Sequence, residues 1–252
     1  MPTAFITGAT AGIGAAFARR LAADGMRLVL LARDETRLEE AAAGLRAEYG
    51  AEVEVLPADL ATDDGIAAAQ RRVAEGVDLL VNNAGFANRG RFLDVPLADE
   101  LTMLRVHCEA VLRLTYAALP GMIERRRGAI INVASVAAFF ARGTYGASKA
   151  WVVGFSQGVA QDIRGKGVHV MALCPGLVHT EFHQRANMDM SGVPEFMWLN
   201  ADSVVRDALR DLRRAAAVSV PSAQYKTLVG LGKFVPRNLA GRISARTGRR
   251  YK

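Results

Sequence analysis

The chain has 252 residues, 51% of them hydrophobic and 23% charged, a balance that excludes a disordered protein and suits a globular fold with a sizeable core. The formal net charge is +7, but ten of the 32 Lys and Arg residues and no Asp or Glu fall in 212–252. The rest of the chain carries 22 basic against 25 acidic groups, so a nucleic-acid-binding body is not expected. No apolar run approaches the ~18 residues of a membrane span, and the N-terminus lacks the charged region and long apolar run of a signal peptide.

No fixed-period repeat or low-complexity linker interrupts the chain. One cytoplasmic domain over 1–252 is therefore expected. Cys108 and Cys174 stand far apart without metal-ligand spacing. They read as reduced, buried thiols, and no metal site is expected.

Thr3–Thr7 reads as a first strand. Gly8-Ala-Thr10-Ala-Gly12-Ile13-Gly14 follows, then an apolar-rich segment with helical spacing to Asp24. Strand, glycine loop and helix is the layout that binds a dinucleotide pyrophosphate: glycines let the backbone approach the phosphates, and the helix N-terminus offers N–H groups. The spacing is Gly-x3-Gly-x-Gly, and an ordinary tight turn is the alternative. Met26–Ala32 reads as the second strand, followed by Arg33 and by Asp34 as N-cap of a charged helix to Tyr49. A carboxylate at that strand end would bind the ribose hydroxyls of NAD. Arg33 fits a 2′-phosphate instead, which favours NADP(H) and leaves NAD(H) as the alternative.

Glu52–Pro57 reads as the third strand and leads to Asp59-Leu60. The Asp59 carboxylate has two readings, an acceptor for the adenine amino group or a cap for a helix starting near Thr62 or Asp63. Val77–Val81, the fourth strand, ends in Asn82-Asn83-Ala84-Gly85. These amides suit the crevice where ligands meet a parallel sheet, or they tie neighbouring strands together. A long helix is expected from Asp99 to Arg126, with Leu101, Leu104, Val111, Leu112 and Leu119 at helical spacing and His107 as a core or boundary residue.

Ala129–Val133 is the expected fifth strand, with Ser135 just beyond it. In Thr144–Trp151, Tyr145 and Lys149 stand four apart, one turn from each other on one helical face. An ammonium beside a phenol lowers the phenol's pKa from about 10, so it could exchange a proton with a carbonyl or alcohol oxygen. Ser135 could donate to the same oxygen. A surface tyrosine beside a solvated lysine is the alternative. The helix continues over Trp151–Arg164. Val168–Cys174 is the sixth strand, stopping at Pro175-Gly176; Ala201–Ala215 is a helix and Val218–Val220 a last strand.

Strands alternating with helices predict an α/β, Rossmann-type doubly wound sheet, mainly parallel and seven-stranded, with helices on both faces. Gly8, Asp59, Asn82, Ser135 and Gly176 each follow a strand, so one sheet edge gathers every candidate polar group.

Thr7-Gly8-x3-Gly12-x-Gly14, Asp59, Asn82-Asn83-Ala84-Gly85, Ser135, Tyr145-x3-Lys149 and Pro175-Gly176-x3-Thr180 together closely resemble the short-chain dehydrogenase/reductase family over about residues 3–180. Arg33-Asp34 followed by Arg37-Leu38 looks like its NADP-preferring, ketoacyl reductase-like branch. The resemblance implies hydride transfer between nicotinamide and a carbonyl or secondary alcohol. Tyr145 would be the proton donor, Lys149 would lower its pKa and hold the nicotinamide ribose, and Ser135 would polarise the carbonyl. The implied cofactor contacts are Gly8, Thr10, Gly12, Ile13 and Gly14, then Arg33, Asp59 and Leu60, then Asn83, Ala84 and Gly85. Tyr145, Lys149, Pro175, Gly176, Val178 and Thr180 complete the set.

Three departures from the family pattern stand out. His107 occupies a place where the family has asparagine in a water relay to the lysine; it either serves that catalytic relay or breaks it. The interval from Ser135 to Tyr145 is about three residues shorter than usual. Ala11 sits where many NADP-users have a basic residue.

Residues 180–200 are the implied substrate lid. Phe182, Met188, Met190, Phe196, Met197 and Trp198 suit an apolar carbonyl or alcohol substrate, or else lid-to-body packing. Residues 222–252 form a basic extension, with Tyr225, Leu228, Val229, Leu231, Phe234 and Val235 among lysines and glycines. It could lie on an anionic membrane surface, which would make the chain peripheral, or meet an acyl carrier or acyl-CoA phosphates. It could also be a solvated face or a subunit contact. The resemblance implies a dimer or tetramer through the long helices. The non-catalytic alternative is a dinucleotide-binding sensor or scaffold with this fold.

Overall fold

The computed structural model describes residues 1–140, 143–186 and 188–232. Seven short apolar runs form the central sheet: β1 (Thr3–Thr7), β2 (Arg27–Ala32), β3 (Val53–Pro57), β4 (Leu79–Asn82), β5 (Gly128–Val133), β6 (Val168–Leu173) and β9 (Val218–Ser219). Their order is β3-β2-β1-β4-β5-β6-β9, and every pair is parallel. The expected seven-stranded, doubly wound sheet is what forms.

Alternation along the strands divides the core between two faces. Ile6, Leu28 and Leu30 face α1 (Gly12–Ala23), α2 (Glu35–Tyr49) and α8 (Ala201–Arg213), where Phe17, Leu38 and Val205 cover them. Phe5, Val29 and Leu80 face α3 (Asp63–Ala74) and α5 (Ala110–Glu124), covered by Ile66, Leu114 and Met122. Strand order reverses between β1 and β4, and their carboxyl ends open the crevice in which such sheets bind ligands.

The predicted long helix is interrupted. It runs as α4 (Leu97–Leu104), a π-helical turn over Arg105–Glu109, and then α5. The turn contains His107, and π-bulges of this kind recur at functional sites. Leu101 and Leu112, expected on its buried face, are exposed. Cys174 is buried as expected, but Cys108 on the π turn is only half-buried. Asp34 caps α2 by accepting from Arg37 N–H at 3.0 Å. α3 starts at Asp63 as expected, but Thr62 rather than Asp59 caps it, accepting from Gly65 N–H at 3.0 Å.

Beyond β6 the chain builds a two-stranded sheet from β7 (Leu177–Val178) and β8 (Trp198–Leu199), with the short helix α7 (Glu181–Arg185) between them. A final helix, α9 (Ala223–Gly232), begins the basic extension; Phe234, Val235 and most of that extension lie outside the described residues. Among the described residues no helix is long and apolar enough to cross a membrane.

The helix that carries Tyr145 and Lys149, α6 (Gly143–Asp162), is tied to the sheet by a buried polar chain. Asn82 Nδ2 donates to Asn132 Oδ1 at 2.8 Å, Asn132 Nδ2 to Ser156 Oγ at 3.0 Å, and Ser156 Oγ to the Val152 carbonyl at 2.7 Å. Asn82 thus ties strands and helix together, which settles its two readings in favour of the structural one. Replacing Asn132 would remove two buried hydrogen bonds at once, to Asn82 and to Ser156. Asn132→Ala should cost about 2 kcal/mol of stability in urea denaturation; an unchanged midpoint would contradict the assignment.

Candidate active site

The carboxyl edge of the sheet collects the side chains that the sequence singles out. Gly8 leaves β1 at φ 66°, a conformation that favours glycine, and Gly14 opens the first turn of α1. A Cβ at Gly14 would lie 2.2 Å from the Gly8 carbonyl oxygen, so only glycine lets the loop fold this tightly. The N-cap of α1, Ala11, gives no side-chain hydrogen bond, and the first turn holds no acidic residue. The first N–H groups of α1 are therefore left for an anion.

Asn83 fastens this loop to β4. Its Nδ2 donates to the carbonyls of Thr7 at 2.9 Å and Gly8 at 3.1 Å, while Thr7 Oγ1 accepts from the N–H groups of Asn83 and Ala84. Thr180 closes over the loop from the lid side: a Cβ added to Gly12 would meet its Cγ2 at 2.9 Å. Arg33, just past β2, is exposed and makes no ion pair or hydrogen bond among the described residues. Neighbouring Arg37 is engaged with Glu181 of α7 at 3.1 Å. Asp59 is half-buried, and one oxygen accepts from Ala61 N–H at 2.9 Å. Leu60 is buried beneath it.

Ser135 follows β5 in extended conformation and caps a 3-10 turn (Val136–Phe139), its Oγ accepting from Ala137 N–H at 3.1 Å. That leaves the hydroxyl proton to be donated toward Tyr145 or a substrate oxygen. Across from it, Tyr145 and Lys149 occupy one face of α6, as their spacing predicts.

The electrostatics differ from the expectation that Lys149 acidifies Tyr145. Burial pushes the Tyr145 phenol up to about 12, opposed by a hydrogen-bonding interaction with Ser135. Lys149 does not offset that burial, because its ammonium is directed elsewhere. Nζ donates to the Val133 carbonyl at 3.0 Å and lies 5.9 Å from the Tyr145 ring centre. Burial pushes the Lys149 amine down to about 8. The phenol thus keeps its proton, and the amine stays mostly cationic at neutral pH.

His107 is fully buried and is used at both ring nitrogens. Nε2 lies 3.2 Å from the Phe86 N–H and must accept from it. The proton therefore sits on Nδ1, which donates to Ser148 Oγ at 2.9 Å; Ser148 in turn donates to the Tyr145 carbonyl at 2.8 Å. Burial, and then the Lys149 charge, hold the imidazole well below its usual pKa, so it is neutral. With both nitrogens engaged, His107 ties the Phe86 backbone to Ser148. Gly85 passes over it, since a Cβ there would meet His107 Nε2 at 2.8 Å and Lys149 Nζ at 3.5 Å.

The segment from β7 to β8 supplies an aromatic wall. Phe182 stands 6.0 Å from Tyr145, and His183 is edge-on to both Phe182 and Trp198. His179 stacks on Trp198 at 4.6 Å and meets Glu195 at 2.9 Å. Of the expected lid residues Phe196 is exposed, while Met188 and Met190 are half-buried. Pro175 and Val178 are buried in the turn and strand that carry the lid. Sequence reasoning missed Ser148, and it named Thr7 only within the glycine-loop motif; the roles of both side chains depend on partners far away in the chain.

The chain is similar to known proteins over most of its length. The family profile described as short chain dehydrogenase matches residues 2–191. The very-long-chain 3-oxoacyl-CoA reductase of Anas platyrhynchos is 34% identical over 215 residues, covering 82% of this chain and 67% of that protein. A short-chain dehydrogenase from Sphingobium yanoikuyae, solved in complex with NADPH, superposes with a TM-score of 0.85 at 37% identity, covering 92% of this chain and 94% of the other. The bulky-bulky ketone specific alcohol dehydrogenase from Comamonas testosteroni gives 0.80 at 31% identity, with 92% of each chain covered. With the glycine loop, Ser135, Tyr145 and Lys149 gathered at one sheet edge and a profile match across three quarters of the sequence, the chain belongs to the short-chain dehydrogenase family.

Proposed function

We propose that this chain is an NADP(H)-dependent reductase of apolar ketones, working reversibly on the corresponding secondary alcohols. The observation that carries the reading is the convergence of a protonated phenol, a serine hydroxyl and a buried ammonium beside an uncapped helix N-terminus. The residues fit NADP(H). The α1 N-terminus and the Gly8–Gly14 loop offer backbone donors without side-chain obstruction, and Arg33 is left for a 2′-phosphate. Asn83 to Gly85 and Asp59 would flank the adenosine, and Pro175 to Thr180 the nicotinamide. Relatives support the choice, one of them solved with NADPH.

When bound, the nicotinamide supplies the hydride that reaches the carbonyl carbon. Tyr145 gives its proton to the carbonyl oxygen, and the two transfers together make the alcohol. Burial keeps the phenol protonated across the working range, which is the form reduction needs. Ser135 orients and polarises the same oxygen with its free hydroxyl proton. The phenolate left behind is stabilised by Ser135 and takes a proton back from solvent, while the Lys149 cation would hold the nicotinamide ribose. His107 acts at one remove, holding the Tyr145 backbone through Ser148.

For substrate, the wall of Phe182, Trp198 and the lid methionines suits apolar groups on the carbonyl. The names of two relatives, one acting on very-long-chain 3-oxoacyl-CoA and one on bulky ketones, point the same way. Exposed Leu101, Leu112, Tyr116 and Trp151 on α4 to α6 support self-association through these helices.

Tyr145→Phe should lower ketone reduction by about a thousandfold while leaving NADPH affinity nearly unchanged. Equal turnover would remove Tyr145 as the acid. Arg33→Ala should weaken NADPH by about tenfold and leave NADH alone, in paired binding titrations; an unchanged preference would end the assigned role of Arg33. Lys149 carries its charge below about 8 and loses it above. Reduction should therefore be level on the acid side of that value and fall as pH rises through it. A profile still level well above pH 8 would contradict a part for the Lys149 cation.

A further inference from the structure

Tyr225 belongs to none of the motifs that mark the active site, yet the fold closes on it. It projects from α9, 2% exposed, with its ring against the backbone of Gly176, where a Cβ would fall 2.1 Å from the ring carbons. Its hydroxyl accepts from Leu177 N–H at 3.0 Å and donates to the Met197 carbonyl at 2.8 Å. One side chain therefore fixes the entry to β7 and the approach to β8, the two strands that bound the lid. The next residue back, Gln224, donates to the Phe196 carbonyl at 2.9 Å. α9 also packs against the 3-10 turn that follows Ser135, and that turn is joined to Pro175 by a 3.0 Å bond from Val136 N–H to the Pro175 carbonyl.

We infer that Tyr225 is a positioning residue for the nicotinamide end of the site, setting the Gly176–Leu177 backbone and the lid from outside the sequence motifs. The inference rests on the NADP(H) reading of the site. A tyrosine hydroxyl offers one proton and accepts readily, and here both capacities are used on the backbone of two separate segments, Leu177 and Met197. The effect reaches Thr180, two residues past β7, which closes over Gly12. The adenosine end, built by β2, β3 and the Asn83 loop, makes none of these contacts, so the influence of Tyr225 should be confined to half of the cofactor.

That asymmetry supplies the test. Tyr225→Phe keeps the ring against Gly176 and removes only the hydroxyl. Calorimetric titration of wild type and variant with NADPH, and with adenosine 2′,5′-bisphosphate as the adenosine half alone, separates the two ends. The variant should bind NADPH about tenfold more weakly and bind the bisphosphate as wild type does. Gly176→Ala, which drives a Cβ into the ring, should reproduce the same selective loss. Unchanged NADPH binding in Tyr225→Phe would overturn the inference. So would an equal weakening of both ligands, which is what a general loss of structure produces. Wild-type protein that binds neither ligand would overturn the cofactor reading itself and this inference with it.

Discussion

An ammonium buried against the carbonyl that ends a β-strand is the contact on which the rest of the site depends. Lys149 is 5% exposed, and its Nζ reaches Val133 at the end of β5. Burying that charge is costly, and the contact with an oriented carbonyl offsets part of the cost. The bond pins α6 to the sheet edge one turn from Tyr145 and directly beside the Ser135 turn. Two further polar ties act on the same helix. The chain from Asn82 through Asn132 to Ser156 holds its middle, and His107 through Ser148 holds the backbone of Tyr145 itself. Buried networks of this kind, satisfied at nearly every member, specify a unique packing.

Burial then sets the chemistry. The same desolvation raises the phenol and lowers the amine, so the two drift apart from their ordinary order in opposite directions. The result is a proton-holding tyrosine near a cation that is close to losing its own. A phenol of this kind gives up its proton only when an oxygen beside it becomes strongly basic.

The parallel seven-stranded sheet and its polar edge were legible in the sequence, because fully buried parallel strands read as apolar runs and the motifs come directly after them. The same holds for the glycine loop and the Tyr145–Lys149 face. Other features left no such mark. The direction of the Lys149 side chain depends on Val133, which spacing within one helix cannot reveal. The π turn at His107 breaks a 3.6-residue pattern without changing its composition, so the periodicity ran through it unbroken. β7 and β8 are two residues each, too short for alternation to register. Tyr225 carries no local signal, since its partners Gly176 and Met197 lie far away in the chain. Asn82 and Asp59 were ambiguous for a similar reason: the residue type permits either role, and only the neighbouring strand or turn decides.

The central claim is that this edge of the sheet performs catalysis and does not merely bind a dinucleotide. Purified wild-type protein given NADPH and a ketone flanked by two apolar groups tests it most directly, by the loss of reduced-nicotinamide absorbance together with the appearance of the alcohol. The account predicts stoichiometric conversion, with one alcohol formed for each NADPH consumed. NADPH that binds tightly and remains reduced across a panel of such ketones would contradict it and favour a sensor or scaffold built on the same fold.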